Sequence, residues 1–135
     1  MNIVIIDGQG GQLGGQIVKE VLKKFENISL TAIGTNAIAT SAMLKAGAKQ
    51  AATGENPVVV ACRNADVIIG PIGIVIADSL LGEITEPMAS AVARSKAVRI
   101  LLPMDKCNNL VAGISNTNTA FLISDTISKL EKLIG

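Results

Sequence analysis

From its first residues almost to its last, the sequence alternates short β-branched runs with segments that have the spacing of helices. "NIVIID" (2–7) is a strand-length apolar run that ends at glycines. Beyond them Leu13, Ile17, Val21 and Phe25 recur at every fourth position, with Lys19, Glu20, Lys23 and Lys24 between. The first pattern predicts a buried strand and the second an amphipathic helix. The pair then repeats with variations. "ISLTAIG" (28–34) reads as a second strand, and "NAIATSAMLKAGA" (36–48) as a helix capped by Asn36 and stopped at Gly47. A brief third strand covers residues 50–52, and "TGENP" opens a helix with Asn56 as cap and Pro57 in the first turn.

"ADVIIGP" (65–71) is the fourth strand of this reading. "IGIVIADSLLG" (72–82) is apolar on nearly every side and reads as a buried or interface helix. A further helix starts at the cap Thr85, "AVRILLP" (97–103) is a fifth strand, and "NLVAGI" (109–114) a sixth. The final helix carries Ile123, Ile127, Leu130 and Ile134 on one stripe.

Such alternation builds a parallel sheet with helices on both faces and right-handed crossovers. The expected fold is α/β, a Rossmann-like three-layer sandwich of strand order 3-2-1-4-5, with residues 1–135 forming one domain. The composition agrees: 49% of the residues are apolar but only 1% aromatic, so Ala, Val, Ile and Leu must make the core. That apolar fraction leaves surface to spare, and a homo-oligomer assembled through 72–82 is expected.

Composition also removes function classes. There is no His, Tyr or Trp, so serine triads, His-based acid–base chemistry, Tyr/Lys proton relays and most zinc sites are excluded. The twelve Lys and Arg are scattered and the net charge is +1, so nucleic acid is not an expected partner. No run of about eighteen apolar residues suggests a membrane span, and no signal peptide is visible, so a cytoplasmic setting is expected. Cys62 and Cys107 lack metal or redox spacing, and no metal ligand set is predicted. Cys62 reads as core.

Four blocks, "IDGQGG", "GTNAIATSAMLKAGA", "TGENP" and "IIGPIGIVIADSLLGEIT", resemble a small bacterial family of Rossmann-like proteins without an assigned activity. The resemblance covers Met1 to about Gly113. It implies the fold and a cytoplasmic setting, and it implies no chemistry.

The functional reading therefore rests on residues. "IDGQGGQLGG" (6–15) places five glycines between the first strand and the first helix. A loop of this kind offers backbone N–H groups at the positive end of a helix, a cradle for phosphate. The G-x-G-x-x-G spacing fails, since Leu13 stands where the third glycine belongs, but Gly8, Gly11 and Gly14 fit G-x-x-G-x-x-G. Two features weaken ordinary NAD(P) binding. No Asp, Glu, Arg or Lys lies between Ile28 and Leu44, where a ribose-binding charge normally stands. Asp7 precedes the loop and repels a pyrophosphate unless it faces away or holds magnesium. The competing reading is a tight turn whose glycines serve packing.

Ligands of open α/β sheets bind beyond the carboxyl ends of the strands. Candidate ligand-contacting residues on that edge are Asp7, Gly8, Gly10, Gly11, Gly14, Thr35, Asn36, Gly70, Pro71 and Gly73. The preferred expectation is binding of a phosphate-bearing ligand, a nucleotide or NAD(P)-type dinucleotide. An enzyme with an intersubunit site would draw on Asp7, Glu55, Asp78, Asp105, Lys106 or Cys107. Within 72–85, Asp78 and Glu83 need partners, and helix capping or intersubunit salt bridges are the structural roles expected of them. A structural subunit without ligand would fill the rim with its own side chains.

Overall fold

The computed structural model describes residues 1–104, 108–115 and 118–135. Among these, β1 (Asn2–Asp7), β2 (Ser29–Gly34), β3 (Gln50–Thr53), β4 (Val67–Pro71) and β5 (Val98–Leu102) form a parallel sheet. Its order is β3-β2-β1-β4-β5, as the alternation predicts. Five helices connect or flank the strands: α1 (Gln12–Lys24), α2 (Ala37–Lys45), α3 (Glu55–Asn64), α4 (Glu86–Arg94) and α5 (Thr119–Ile134).

The period of two along β1 divides the core. Ile3 and Ile5 enter one cluster with Ile17, Val18 and Val21 of α1, Met43 of α2 and Leu130 of α5. Val4 and Ile6 enter the other with Val58 and Cys62 of α3, Met88 and Val92 of α4, and Ile74, Leu80 and Ile84. Each fully buried side chain of this kind contributes about 1.5–3 kcal/mol of transfer free energy. Cys62 is core, as expected, and burial pushes its thiol up to about 11.

Asn36 caps α2, its Oδ1 accepting the Ala39 N–H at 2.9 Å, and Thr85 caps α4 through the Met88 N–H at 3.2 Å. The start of α3 differs from the expectation. Gly54, not Asn56, is its cap: its N–H still bonds the Gly34 carbonyl at 2.9 Å on the β2 side, and its φ of +106° turns the chain into the helix at Glu55. The buried stripe on α5 ends at Leu130, for Ile134 is 37% exposed.

Two expected elements are absent. Residues 109–114 form no strand: Asn108 and Gly113 adopt left-handed φ values (+65° and +84°) and Leu110 is 96% exposed. β5 is therefore an edge of the sheet. Segment 72–82 is not a helix but a short 3-10 turn, Ile72–Val75, followed by a doubled-back loop. Its apolar residues are explained by reversal of the chain, which returns Ile74, Leu80 and Ile84 to one cluster. The Asp78 N–H donates to the Ile84 carbonyl at 2.7 Å, and the Ser79 hydroxyl to the Gly73 carbonyl. Asp78, Leu80, Leu81 and Gly82 all have positive φ (+67°, +56°, +56° and +87°). For non-glycine residues that conformation costs about 1–2 kcal/mol each. Leu81 is left 94% exposed.

β1 and β4 approach so closely that a Cβ on Gly70 would stand 2.4 Å from the Ile6 carbonyl oxygen. Gly70→Ala is expected to lower unfolding free energy by about 1–3 kcal/mol, the usual cost of overpacking, in urea titration. An unchanged midpoint would show that the strands can separate freely.

Candidate functional site

The same alternation that buries Ile3 and Ile5 puts Asp7 on the face covered by α1. Asp7 is 6% exposed and its carboxylate turns toward the glycine loop. Oδ1 accepts the Gly8 N–H at 2.8 Å, and Oδ2 accepts the Gly14 N–H at 2.7 Å. Gly14 is the third residue of α1, whose N-cap, Gly11, has no side chain to offer. Asp7 therefore does the capping from the end of β1, where the first turn presents unpaired N–H groups and positive potential.

Three glycines of the loop are required by this packing. A Cβ on Gly8 would lie 2.6 Å from Thr35 Oγ1 and 2.7 Å from Glu83 Oε1. One on Gly14 would meet Asp7 Cβ at 2.7 Å. Gly11 has φ of +73°, and its Cβ would meet Ala39 Cα at 2.6 Å, where α1 starts against α2. Gly10 is different. Its φ is not positive, and no described atom lies within 4 Å of where its Cβ would stand. The fold has no visible need of a glycine there.

A second carboxylate arrives from far along the chain. Glu83, at the end of the doubled-back loop, accepts three hydrogen bonds on Oε1: from the Gln9 N–H at 2.8 Å, Thr35 Oγ1 at 2.5 Å and Asn36 Nδ2 at 2.9 Å. Asn36 Nδ2 also donates to the Gln9 carbonyl at 3.0 Å. Partial desolvation pushes the Glu83 carboxyl upward, but the three donated hydrogen bonds outweigh it and hold the group below its ordinary value. The charge missing from the end of β2 is thus supplied by Glu83, through contacts that span 47 to 74 positions. Sequence reasoning identified Glu83 only as a carboxylate in need of a partner. Gly82 before it and the cap Thr85 after it were the local signs of a turn.

On the other side of the loop lies a cleft of about 490 Å³. Its walls are Asp7 to Leu13, Gln16, Met104, and Thr119 and Ala120 at the start of α5. Two helix N-termini, those of α1 and α5, therefore border one space, and neither helix has an acidic residue in its first turn.

A family model described as a domain of unknown function, DUF3842, matches residues 2–135. The chain belongs to that family. No curated protein matches the sequence. Among solved structures, DUF3842 as seen in this chain is similar to a dodecameric FMN-dependent UbiX-like decarboxylase from Escherichia coli O157:H7. The similarity covers 97% of this chain and 95% of that one, at 11% identity and a TM-score of 0.46. A likeness this distant says nothing about ligand or assembly.

The other candidate residues are dispersed. Gly70, Pro71 and Gly73 are buried, the first two at the end of β4 and the third in the 3-10 turn. None of the three lines the cleft. Glu55 and Asp78 are exposed at the start of α3 and in the doubled-back loop. Asp105, Lys106 and Cys107 lie outside the described residues. Among those described, Asp7, Gly8, Gly10 and Gly11 line the cleft, while Thr35 and Asn36 gather at Glu83.

Asp7→Ala strands the Gly8 and Gly14 N–H groups and is expected to cost about 1–3 kcal/mol in urea titration. Asp7→Asn, which keeps one acceptor oxygen, costs less. If both variants match the parent, Asp7 does not hold the loop. Because its folded-state pKa lies below the ordinary 4.5, Glu83 contributes stability that is present above that value. The contribution is lost as pH falls through the lower folded value. The stability advantage of the parent over Glu83→Gln should therefore shrink as pH is lowered from about 5 toward 3. An advantage that is constant or grows toward low pH contradicts this assignment.

Proposed function

We propose that this protein is a binding or regulatory module for a small phosphate-bearing ligand, of the nucleotide class, held in the cleft beside the glycine loop. The observation that carries the reading is Gly10. Packing accounts for Gly8, Gly11 and Gly14, whereas Gly10 borders an open cleft at the strand carboxyl edge with no described atom within 4 Å of its Cβ position. A glycine without an internal reason fits close approach of a ligand to the backbone. The start of α1, the start of α5, the amides of Gln12 and Gln16 and the hydroxyl of Thr119 offer hydrogen-bond donors to an anion there.

Asp7 restricts the mode of binding. Its carboxylate already takes the Gly8 and Gly14 N–H groups, so a phosphate approaches from the Gly10 side instead of settling on the third residue of α1. The β2 side of the loop is filled by Glu83 with Thr35 and Asn36, which supports a mononucleotide-sized ligand over an extended NAD(P)-type dinucleotide. The same filling favours, for that half of the rim, the structural-subunit reading. An enzyme with an intersubunit site is the remaining alternative. A cytoplasmic setting is part of the proposal, and so is a homo-oligomer, which the exposure of Leu81, Leu110 and Ile38 at 94%, 96% and 71% supports.

The test is native mass spectrometry of the purified protein, which counts subunits and any retained ligand, followed by thermal shift against mono- and dinucleotides. A mononucleotide is expected to raise the melting temperature. Gly10→Val should remove that shift while leaving the unliganded protein as stable as the parent. Gly11→Val should destabilise the protein itself through Ala39. No retained mass and no shift with any phosphate compound would overturn the reading and leave the loop as a turn.

A further inference from the structure

Glu83 is used by the fold on one oxygen only. Oε1 takes all three hydrogen bonds, from Gln9, Thr35 and Asn36, and no described group donates to Oε2. Glu83 is half-buried, yet no buried side-chain oxygen in the described residues lacks a partner, so Oε2 reaches solvent. No Lys or Arg among the described residues pairs with it, so neutral dipoles alone balance its charge. The backbone bears strain to deliver it: Leu80, Leu81 and Gly82, immediately before it, all have positive φ. The side chain also stands directly against the loop that walls the cleft, at the Gln9 N–H and 2.7 Å from the Cβ position of Gly8.

We propose that Glu83 Oε2 is a specificity element that accepts a hydrogen bond from a hydroxyl of the ligand, which in a nucleotide is a ribose hydroxyl. The proposal rests on the phosphate-ligand reading above. One open carboxylate oxygen satisfies one donor, which suits a hydroxyl better than an ammonium group with three. The charge pattern agrees, since a carboxylate repels phosphate. The ligand's phosphate then lies at Gly10 and its neutral hydroxylated part at Glu83, on either side of Gly8 and Gln9. The Thr35 and Asn36 donors keep Glu83 ionised and fixed in orientation, so the acceptor is formed before the ligand arrives.

Glu83→Gln tests this without dismantling the network. Its amide oxygen can still accept from Gln9, Thr35 and Asn36, while an NH2 donor replaces the open oxygen. The probes are ribonucleoside 5′-monophosphates and their 2′,3′-dideoxy counterparts, with Kd measured by calorimetry on the parent and on Glu83→Gln. The parent should bind the ribose form roughly tenfold or more tightly than the dideoxy form, as a hydrogen bond to a charged acceptor requires. Glu83→Gln should bind the two forms alike, with affinity for the dideoxy form unchanged from the parent. Equal affinity of the parent for both forms, lost on Gly10→Val, would overturn the role of Glu83 and leave the phosphate site standing. Discrimination that survives in Glu83→Gln would also overturn it. No binding of either form would overturn both readings.

Discussion

A buried carboxylate at the end of the central strand sets the shape of everything around it. A carboxylate as inaccessible as that of Asp7 needs hydrogen-bond donors, and its own following loop provides two of them. The loop therefore curls back, giving its first N–H and that of the third residue of α1 to the two carboxylate oxygens. Side chains at Gly8 and Gly14 would block that path, which is why the glycines cluster after a strand that is otherwise all side chain. Once the loop is drawn in, α1 starts close enough to α2 for Gly11 to touch Ala39, and the face of the sheet carrying Ile3 and Ile5 is sealed.

Glu83 completes the constraint from the opposite direction. Asp7 pulls the loop toward α1, while Glu83 holds Gln9, Thr35 and Asn36 at the end of β2. Asn36 has two tasks, capping α2 with its oxygen and bridging Glu83 to the Gln9 carbonyl with its nitrogen. A shift at any of these groups is felt by the others, so the β2 side of the rim behaves as one fixed unit. The open cleft lies on the other side, between the loop and the start of α5.

How much of this was legible in the sequence follows from the range of each interaction. The strands, the helices and the caps Asn36 and Thr85 are local or nearly periodic, and the alternation of runs declares them, while the sheet order followed from the fold class that the alternation implies. The orientation of Asp7 stayed open in the sequence, and the structure closes it by setting Asp7 in parity with Ile3 and Ile5, beneath α1. The segment 72–82 misled because uniform apolarity has two physical causes, a helix buried all round or a reversing loop whose apolar residues fall into one cluster. Only the positive φ values of Asp78, Leu80 and Leu81, which no composition announces, separate them. Glu83 was invisible as a rim residue for a related reason: its partners lie 47 to 74 positions away, and nothing in a linear pattern reports such a distance. The glycines looked equivalent as a motif, and only the surrounding atoms distinguish Gly10 from Gly8, Gly11 and Gly14.

The protonation behaviour of these groups bears on binding against catalysis. Proton transfer in neutral solution is most efficient from groups that titrate near pH 7. The sequence has no His. Of the described groups whose surroundings displace them, the Cys62 thiol is pushed up to about 11 and the Glu83 carboxyl is held below its usual range, so both move away from neutrality. The hydrogen bonds that fix Glu83 are the same ones that depress it, so the arrangement trades acid–base reactivity for a permanent, oriented acceptor. An acceptor that stays charged at every physiological pH is suited to recognising a hydroxyl and poorly suited to carrying a proton, and on that physical ground a binding module accounts for this rim better than a general acid or base does.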